Sequence, residues 1–542
     1  MKIAPSKARW LILNSLAPIG GVALLFSGFA AYAQESAPGS AEPAKPVQSG
    51  TILLPKSAPP TGLQAPLPAP MSLPTRPDAP LKSSPKSQQV KIDLNKPITL
   101  EQAVSIALST NRSIALAQEA LLLAQGRTAE AKTGFNPTLA ASFAYSRLDQ
   151  GSKGNIGGAS VTFVDPNQLT LGANFSLPID IAGLIKAAKD QANFQEIAAR
   201  LDVNRARNQA VLDAKSAFYD LLRAKALVTV STESLQNSLD RLDDSQKRYK
   251  AGVVAKFDVL RAQTDVLNAQ QTLIQSRNQV SQTVASLNNA LGIDINIPLQ
   301  VADTGAVETP PDTDSIKMTD DLSETSRKLT IDFDNLTLGK EYDSLTQEAL
   351  KSRPEIQEAE ATISAAKKGI QLAKRSQLPS FNVTSNFSYT PLAAGLAPRE
   401  TSASIGVSIN IPLYDGGVSR AKITQARANI ATAETNRRQS LDQVSLEVRT
   451  VYLSLVQSRD RVVVANQALI QAQEAFRLAR VRYNAGVSAQ AGISPLLEVS
   501  DAQNALTLAE NNRVNALYDY NNNRAKLDKA AGRYSYNRTI VL

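Results

Sequence analysis

Leu169-Thr-Leu-Gly-Ala-Asn-Phe-Ser-Leu177 and Ala403-Ser-Ile-Gly-Val-Ser-Ile-Asn-Ile411 alternate apolar and polar residues without a break. Leu139-Ala-Ala-Ser-Phe-Ala-Tyr-Ser146 and Phe381-Asn-Val-Thr-Ser-Asn-Phe-Ser-Tyr-Thr390 behave likewise. The pattern predicts four strands, at about 138–148, 168–178, 380–390 and 402–412, each with one oily and one wet face. Such a strand fits between lipid and a water-filled lumen. Each run approaches the roughly 9–11 residues a tilted strand needs to cross a bilayer. Four strands are too few, because the smallest transmembrane barrels have about eight. An open edge in lipid leaves unpaired backbone groups at several kcal/mol each. If these strands span a membrane, several copies must share one barrel.

The 542 residues contain no Cys and no His. Disulfides, thiolate catalysis and thiolate metal sites are therefore excluded, as is the commonest general base and metal ligand. The formal charge is +9, of which Lys2, Lys7 and Arg9 lie in a basic N-terminal segment. Acids alternate with the remaining basic residues along helical stretches. No basic face of the kind nucleic-acid binding needs is present. Trp10 to Phe29 is apolar and Ala31-Tyr32-Ala33 is a cleavage site, so residues 1–33 read as a secretory signal peptide, with an uncleaved anchor as the alternative. No later stretch suits a transmembrane helix. An exported protein that enters a membrane only as strands points to a bacterial outer membrane. Residues 34–96, rich in Pro, Ala and Ser, read as a flexible N-terminus.

The rest of the chain repeats itself. Arg248-Tyr249-Lys-Ala-Gly252-Val253 recurs 234 residues later as Arg482-Tyr483-Asn-Ala-Gly486-Val487, and Pro178 recurs as Pro412 at the same offset. Ile114 and Pro137 recur as Ile356 and Pro379 at an offset of 242. Residues 149–167 are read as a longer loop and 391–400 as a shorter one, which accounts for the change of offset. The organisation expected is a first repeat over 97–300, a linker or peripheral element over 301–341, a second repeat over 342–531 and a tail over 532–542. Each repeat reads helix, strand, loop, strand, long helix, sharp turn, helix. Leu221, Val228, Leu235, Leu242 and Tyr249 stand seven apart, as do Leu441, Val448, Leu455, Val462, Leu469, Phe476 and Tyr483. A strict seven-residue repeat supercoils packed helices to the left. From Ile185 to Tyr249 one helix would run about 95 Å at 1.5 Å per residue.

Gly252 and Gly486 stand where the long heptad runs stop, the place of a left-handed C-terminal cap. Asp258 falls in the first turn of the next helix, where an acid suits the dipole. Capping alone accounts for these residues. An added gating role is the alternative.

These features together resemble the TolC-like outer-membrane efflux protein family, across residues 97–531. They are the tandem halves, the twofold Arg-Tyr-x-Ala-Gly, Phe257-Asp258-Val259-Leu260-Arg261-Ala262-Gln263, and Pro412-Leu413-Tyr414-Asp415-Gly416-Gly417 at a strand-to-helix turn. The resemblance implies a mainly α chain with a membrane β part. Three protomers would form a trimeric 12-strand β-barrel, four strands per chain, continued by a long α-helical coiled-coil barrel. It also implies a periplasmic end closed by hydrogen bonds and ion pairs between helix turns. Tyr249, Gly252, Asp258, Tyr483, Gly486, Ser488 and Glu498 fall at that gate. Tyr483 and Asp258 align with participants in the constriction, and Ser488 replaces an Arg found in the best-known member. Two extra residues before Leu496 shift the acids of the second half. Glu498 is a candidate for a cation-attracting ring, with an exposed helix acid as the plainer reading. Pro178, with Ile179-Asp180-Ile-Ala-Gly183, marks a looser version of the strand-exit turn.

The function expected is a passive exit duct of a tripartite efflux pump or type I secretion system. Its partners would be two further copies of the chain, outer-membrane lipid, a periplasmic adaptor (a membrane fusion protein) and an inner-membrane pump. No cofactor or metal is expected, and energy must come from the pump, since no G-x-x-x-x-G-K-[ST] phosphate loop is present. The rival reading is an exported coiled-coil interaction protein without a pore. An exported enzyme built on Asp243-Asp244 or Asp320-Asp321 is disfavoured, because adjacent acids on a helix point apart.

Overall fold

Each strand foreseen from alternation is present in the computed structural model, which describes residues 96–302, 306–310, 340–391, 400–487 and 495–534. The signal peptide, nearly all of the Pro-rich N-terminus, most of the linker and residue 488 lie outside the described residues. The chain divides after Ala79, and everything described belongs to the second unit, Pro80–Leu542.

The elements are α1 (Leu100–Thr110), α2 (Arg112–Thr133), β1 (Thr138–Arg147), β2 (Ser152–Ile156), β3 (Ala159–Val164), β4 (Asn167–Ile179), α3 (Leu184–Lys250), α4 (Lys256–Leu291), α5 (Lys340–Ser352), α6 (Pro354–Arg375), β5 (Ser380–Tyr389), β6 (Thr401–Asn410), α7 (Val418–Ala485) and α8 (Pro495–Ala530). Thr99 opens α1 with a capping box to Gln102. At 67 and 68 residues, α3 and α7 are each about 100 Å long.

The main sheet is antiparallel in the order β1-β4-β5-β6. Its register sorts the side chains. Leu139, Phe175, Ser385 and Ile405 lie in one row across the sheet, and Phe143, Leu171 and Tyr389 lie in another on the same face. The opposite face carries rows such as Ser142, Gly172, Ser388 and Ser402, or Ala140, Asn174, Asn386 and Ser404. That face has no charged residue on any of the four strands. β1 and β6 each have one neighbour in this sheet. Leu139, Phe143, Ile405 and Val407 are 68–81% exposed.

Residues 149–167 are not a plain loop: β2 and β3 form a hairpin there. Gly157 and Gly158 both have positive φ, as a two-residue hairpin turn requires. The alternation of this ribbon is too short to stand out in the sequence.

Below the sheet α3 packs on α1, α2, α4, α6 and α8, while α7 packs on α5, α6 and α8. The principal core joins Phe218 and Leu221 of α3 to Leu287 and Leu291 of α4 and Tyr518 of α8. Val301 and Ala306, read as linker, are buried against this core, and the Asn521 side chain hydrogen-bonds both the N–H and the C=O of Glu308. Tyr534, read as tail, packs on Val104 and Val211 and donates its hydroxyl proton to the Ala525 carbonyl at 2.7 Å. The α3 seam is made of small residues in one heptad register: Ala210, Ala224, Ser231, Ser238 and Ser245 are all buried. Small side chains let helices approach closely. Gly292 closes α4 at φ 77°, where a Cβ would stand 2.4 Å from the Thr110 carbonyl oxygen.

Candidate functional site: the helix tips and the strand exits

Both long helices end in the same way. The Gly252 N–H donates to the Tyr249 carbonyl and the Val253 N–H to that of Arg248; Gly486 and Val487 do the same to Tyr483 and Arg482. This is the two-bond left-handed cap, with φ of 74° at Gly252 and 70° at Gly486. The caps are alike, but the tyrosines are not. Tyr483 is 5% exposed and Tyr249 is 46% exposed.

Tyr483 is held through its ring and its backbone. The Arg248 guanidinium lies 4.1 Å from the ring centroid, and its Nη1 donates to the Tyr483 carbonyl at 3.1 Å. The Tyr483 hydroxyl is buried and has no hydrogen-bond partner among the described residues, so it makes none with Asp258. Asp258 sits in the first turn of α4, where the sequence places it. Glu498 is not the exposed helix acid of the plainer reading: its side chain is 18% exposed and lies 3.9 Å from Arg482. The packing of α8 against both long helices covers it.

Two turns further from the tip is a cluster that sequence reasoning missed. Arg241 Nη2 donates to Ser238 Oγ at 3.0 Å, and burial pulls the Arg241 pKa down against the opposing charge of Asp265. Asp265 accepts a hydrogen bond from the Ser500 hydroxyl at 2.8 Å, tying α4 to α8. Arg241 stands seven residues before Arg248, and that heptad spacing was the available signal. Among the described residues no group of three or more Asp or Glu is placed to hold a metal ion.

The strand exits are built from Asp and Gly. Asp415 accepts N–H bonds from Gly417 at 3.0 Å and Ser419 at 2.8 Å, and Gly416 and Gly417 both have positive φ. Leu413 and Tyr414 project outward, each more than 90% exposed. At the first exit Pro178 lies within β4, and Asp180 accepts from the Lys186 N–H. Arg375 of α6 braces that exit by donating to the Gly183 carbonyl at 2.7 Å.

A sheet with one apolar face, joined to helix pairs about 100 Å long, defines a membrane conduit with a helical extension. The chain belongs to the outer membrane efflux protein family, which it matches over residues 103–293 and 345–533. It is 24% identical over 384 residues to the toluene efflux pump outer membrane protein TtgC of Pseudomonas putida, covering 68% of this chain and 70% of that one. It is 22% identical over 338 residues to the outer membrane protein TolC of Escherichia coli, covering 59% and 61%. Its fold matches the CmeC outer membrane channel of Campylobacter jejuni with a TM-score of 0.63 at 17% identity, covering 80% of this chain and 85% of that one. The protein is thus an outer-membrane efflux protein, a TolC-like transport conduit and not an enzyme.

Proposed function

We propose that this chain is one third of a passive exit duct, in which three four-stranded sheets close a twelve-strand barrel. The observation that carries the reading is the pair of open edges. β1 and β6 have free sides in a sheet whose apolar face is bare, and in hydrocarbon those backbone groups must be paired. Pairing β1 of one copy with β6 of the next removes every edge. The uncharged Ser, Thr, Asn and Gly face then lines the lumen, and Leu139, Phe143, Ile405 and Val407 face lipid.

The tandem halves, residues 97–300 and 342–531, give each protomer two long helix pairs. Six such pairs extend the lumen through the periplasm. The tips near Gly252 and Gly486 form the gate and the docking surface for a periplasmic adaptor, which links the duct to an inner-membrane pump. The adaptor opens the gate by binding the open state better than the closed one, since equal binding shifts nothing. Residues 1–33 direct export and are removed.

The test is the mass of detergent-solubilised protein by light scattering, with conductance in planar bilayers. Three chain masses and a gated pore are expected. A folded, lipid-embedded monomer would refute the duct.

A further inference from the structure

Halfway along the long helices the two halves of the chain meet around a hollow of about 310 Å³. At ~30 Å³ per molecule it has room for about ten waters. Every side chain that lines it is polar or charged. α3 contributes Ser216, Asp220 and Arg223, α7 contributes Arg461, and α8 contributes Asp519, Asn522 and Lys526.

Charge sorts what the hollow can take. Arg223 donates to Asp220 at 2.6 Å and to Asp519 at 3.1 Å, and Arg461 donates to the other Asp519 oxygen at 3.1 Å. Both acids are thereby spent on guanidinium groups, so a metal cation finds no free carboxylate. The third cation, Lys526, makes no hydrogen bond or ion pair among the described residues. Three cations against two acids leave one positive charge over. Asp220 also fixes the Asn522 amide: Nδ2 donates to Asp220 Oδ1 at 3.2 Å, so the amide oxygen is the atom left over. Asn522 is 9% exposed, and its Oδ1 is buried without a partner among the described residues, as is the Ser216 hydroxyl. Buried polar atoms left unpaired are costly, and each calls for a partner.

A ligand that suits these groups carries negative charge for Lys526 and for the remaining N–H groups of Arg461. It also accepts from a hydroxyl and still offers one proton to an amide oxygen. Hydrogen phosphate does all of this, whereas sulfate and ionised carboxylates have no proton to give. We propose that the hollow is a phosphate site: Lys526 and Arg461 hold the charge, Ser216 donates to one oxygen, and the P–OH donates to Asn522 Oδ1. The phosphate is a free one, because Ser216 stands 33 residues beyond Gly183 on α3, about 50 Å from the strand exit and out of reach of lipid headgroups. Bound there, it ties α3 of the first half to α7 and α8 of the second. All these groups belong to one chain, so the site goes beyond the duct and does not depend on it.

Inorganic phosphate is titrated into the full-length protein in detergent by isothermal calorimetry at fixed ionic strength. At about pH 8 inorganic phosphate keeps one P–OH, whereas methyl phosphate, like other monoesters, has lost its acid protons. One site per chain is expected, with sulfate and methyl phosphate bound about tenfold more weakly because Asn522 Oδ1 stays unpaired. Lys526→Gln should abolish the phosphate heat, and Ser216→Ala should weaken binding about fivefold. Neither side chain has a partner to lose among the described residues, so both variants should keep the wild-type circular dichroism. Ser216→Ala carries the test alone if Lys526→Gln fails to fold. No saturable phosphate heat, or equal affinity for the three anions in wild type and variants alike, would show that the hollow holds only water and would overturn the site.

Discussion

Replacing Arg248 by alanine removes a cation that joins the tip of α3 to the tip of α7. The guanidinium makes a half-buried cation–π contact with Tyr483 and a charge-assisted bond to its carbonyl. The first contributes about 1 kcal/mol and the second about 1.5 kcal/mol. Together, about 2.5 kcal/mol is a factor of roughly 60 in any equilibrium that separates the two tips. If opening parts α3 from α7, Arg248→Ala shifts each protomer toward the open form by that factor. Single-channel recording in planar bilayers reads it as a higher open probability. Arg248→Lys, which keeps the charge and loses the planar fork, should fall between. The mass of the solubilised protein and its circular dichroism should not change. Equal open probability in wild type and Arg248→Ala would show that the tips move together, and would remove this clamp from the gate.

The Tyr483 side chain offers a sharper contrast. Its hydroxyl is buried without a partner among the described residues, so Tyr483→Phe should leave conductance unchanged and stability equal or slightly higher, whereas Tyr483→Ala should raise conductance. A leaky Tyr483→Phe channel would return the hydroxyl to the gate. Acid should weaken the clasp in which Arg353 bridges Glu355 and Glu447 while Lys529 pairs with Glu447. Burial pushes both carboxyls up, but the Arg353 hydrogen bonds and charge outweigh it and hold them below the usual range. Their contribution is present above the unfolded value near ~4.3 and is lost as pH falls through the lower folded values. The gap in melting temperature between wild type and Glu447→Gln should therefore be wide at neutral pH and narrow progressively as the pH falls below ~4.3; a constant gap would count against the clasp. Gly486→Ala meets no neighbour and should cost about 1 kcal/mol for the left-handed backbone alone, while Gly292→Ala also drives a Cβ into the Thr110 carbonyl and should cost several times more in thermal unfolding.

The strands were legible because a period of two is local, and their bounds fall within about two residues of the alternating runs. The long helices were legible for the same reason, through heptads that end at glycine. What could not be read depends on residues far apart in the chain. Tyr249 and Tyr483 occupy the same motif, yet only Tyr483 is covered, because Arg248 folds over it from the other half. Arg353 is almost fully buried because Glu447 meets it from 94 residues away. The β2–β3 ribbon escaped notice because its strands are only 5 and 6 residues long.

The seam of alanine and serine along α3 has a mechanical consequence. Interlocking leucines act as deep gear teeth, and shifting them means lifting one rod off another. Ala210 and Ala224, then Ser231, Ser238 and Ser245, are shallow teeth; the Ser238 hydroxyl is spent on a carbonyl of its own helix, and that of Ser231 is shared between its own helix and Ser276 of α4 at 2.9 Å. Between the core at Phe218 and Leu221 and the tip, so smooth a flank can swivel along its neighbour with little steric resistance, so the latch of that stretch lies in a few polar fastenings.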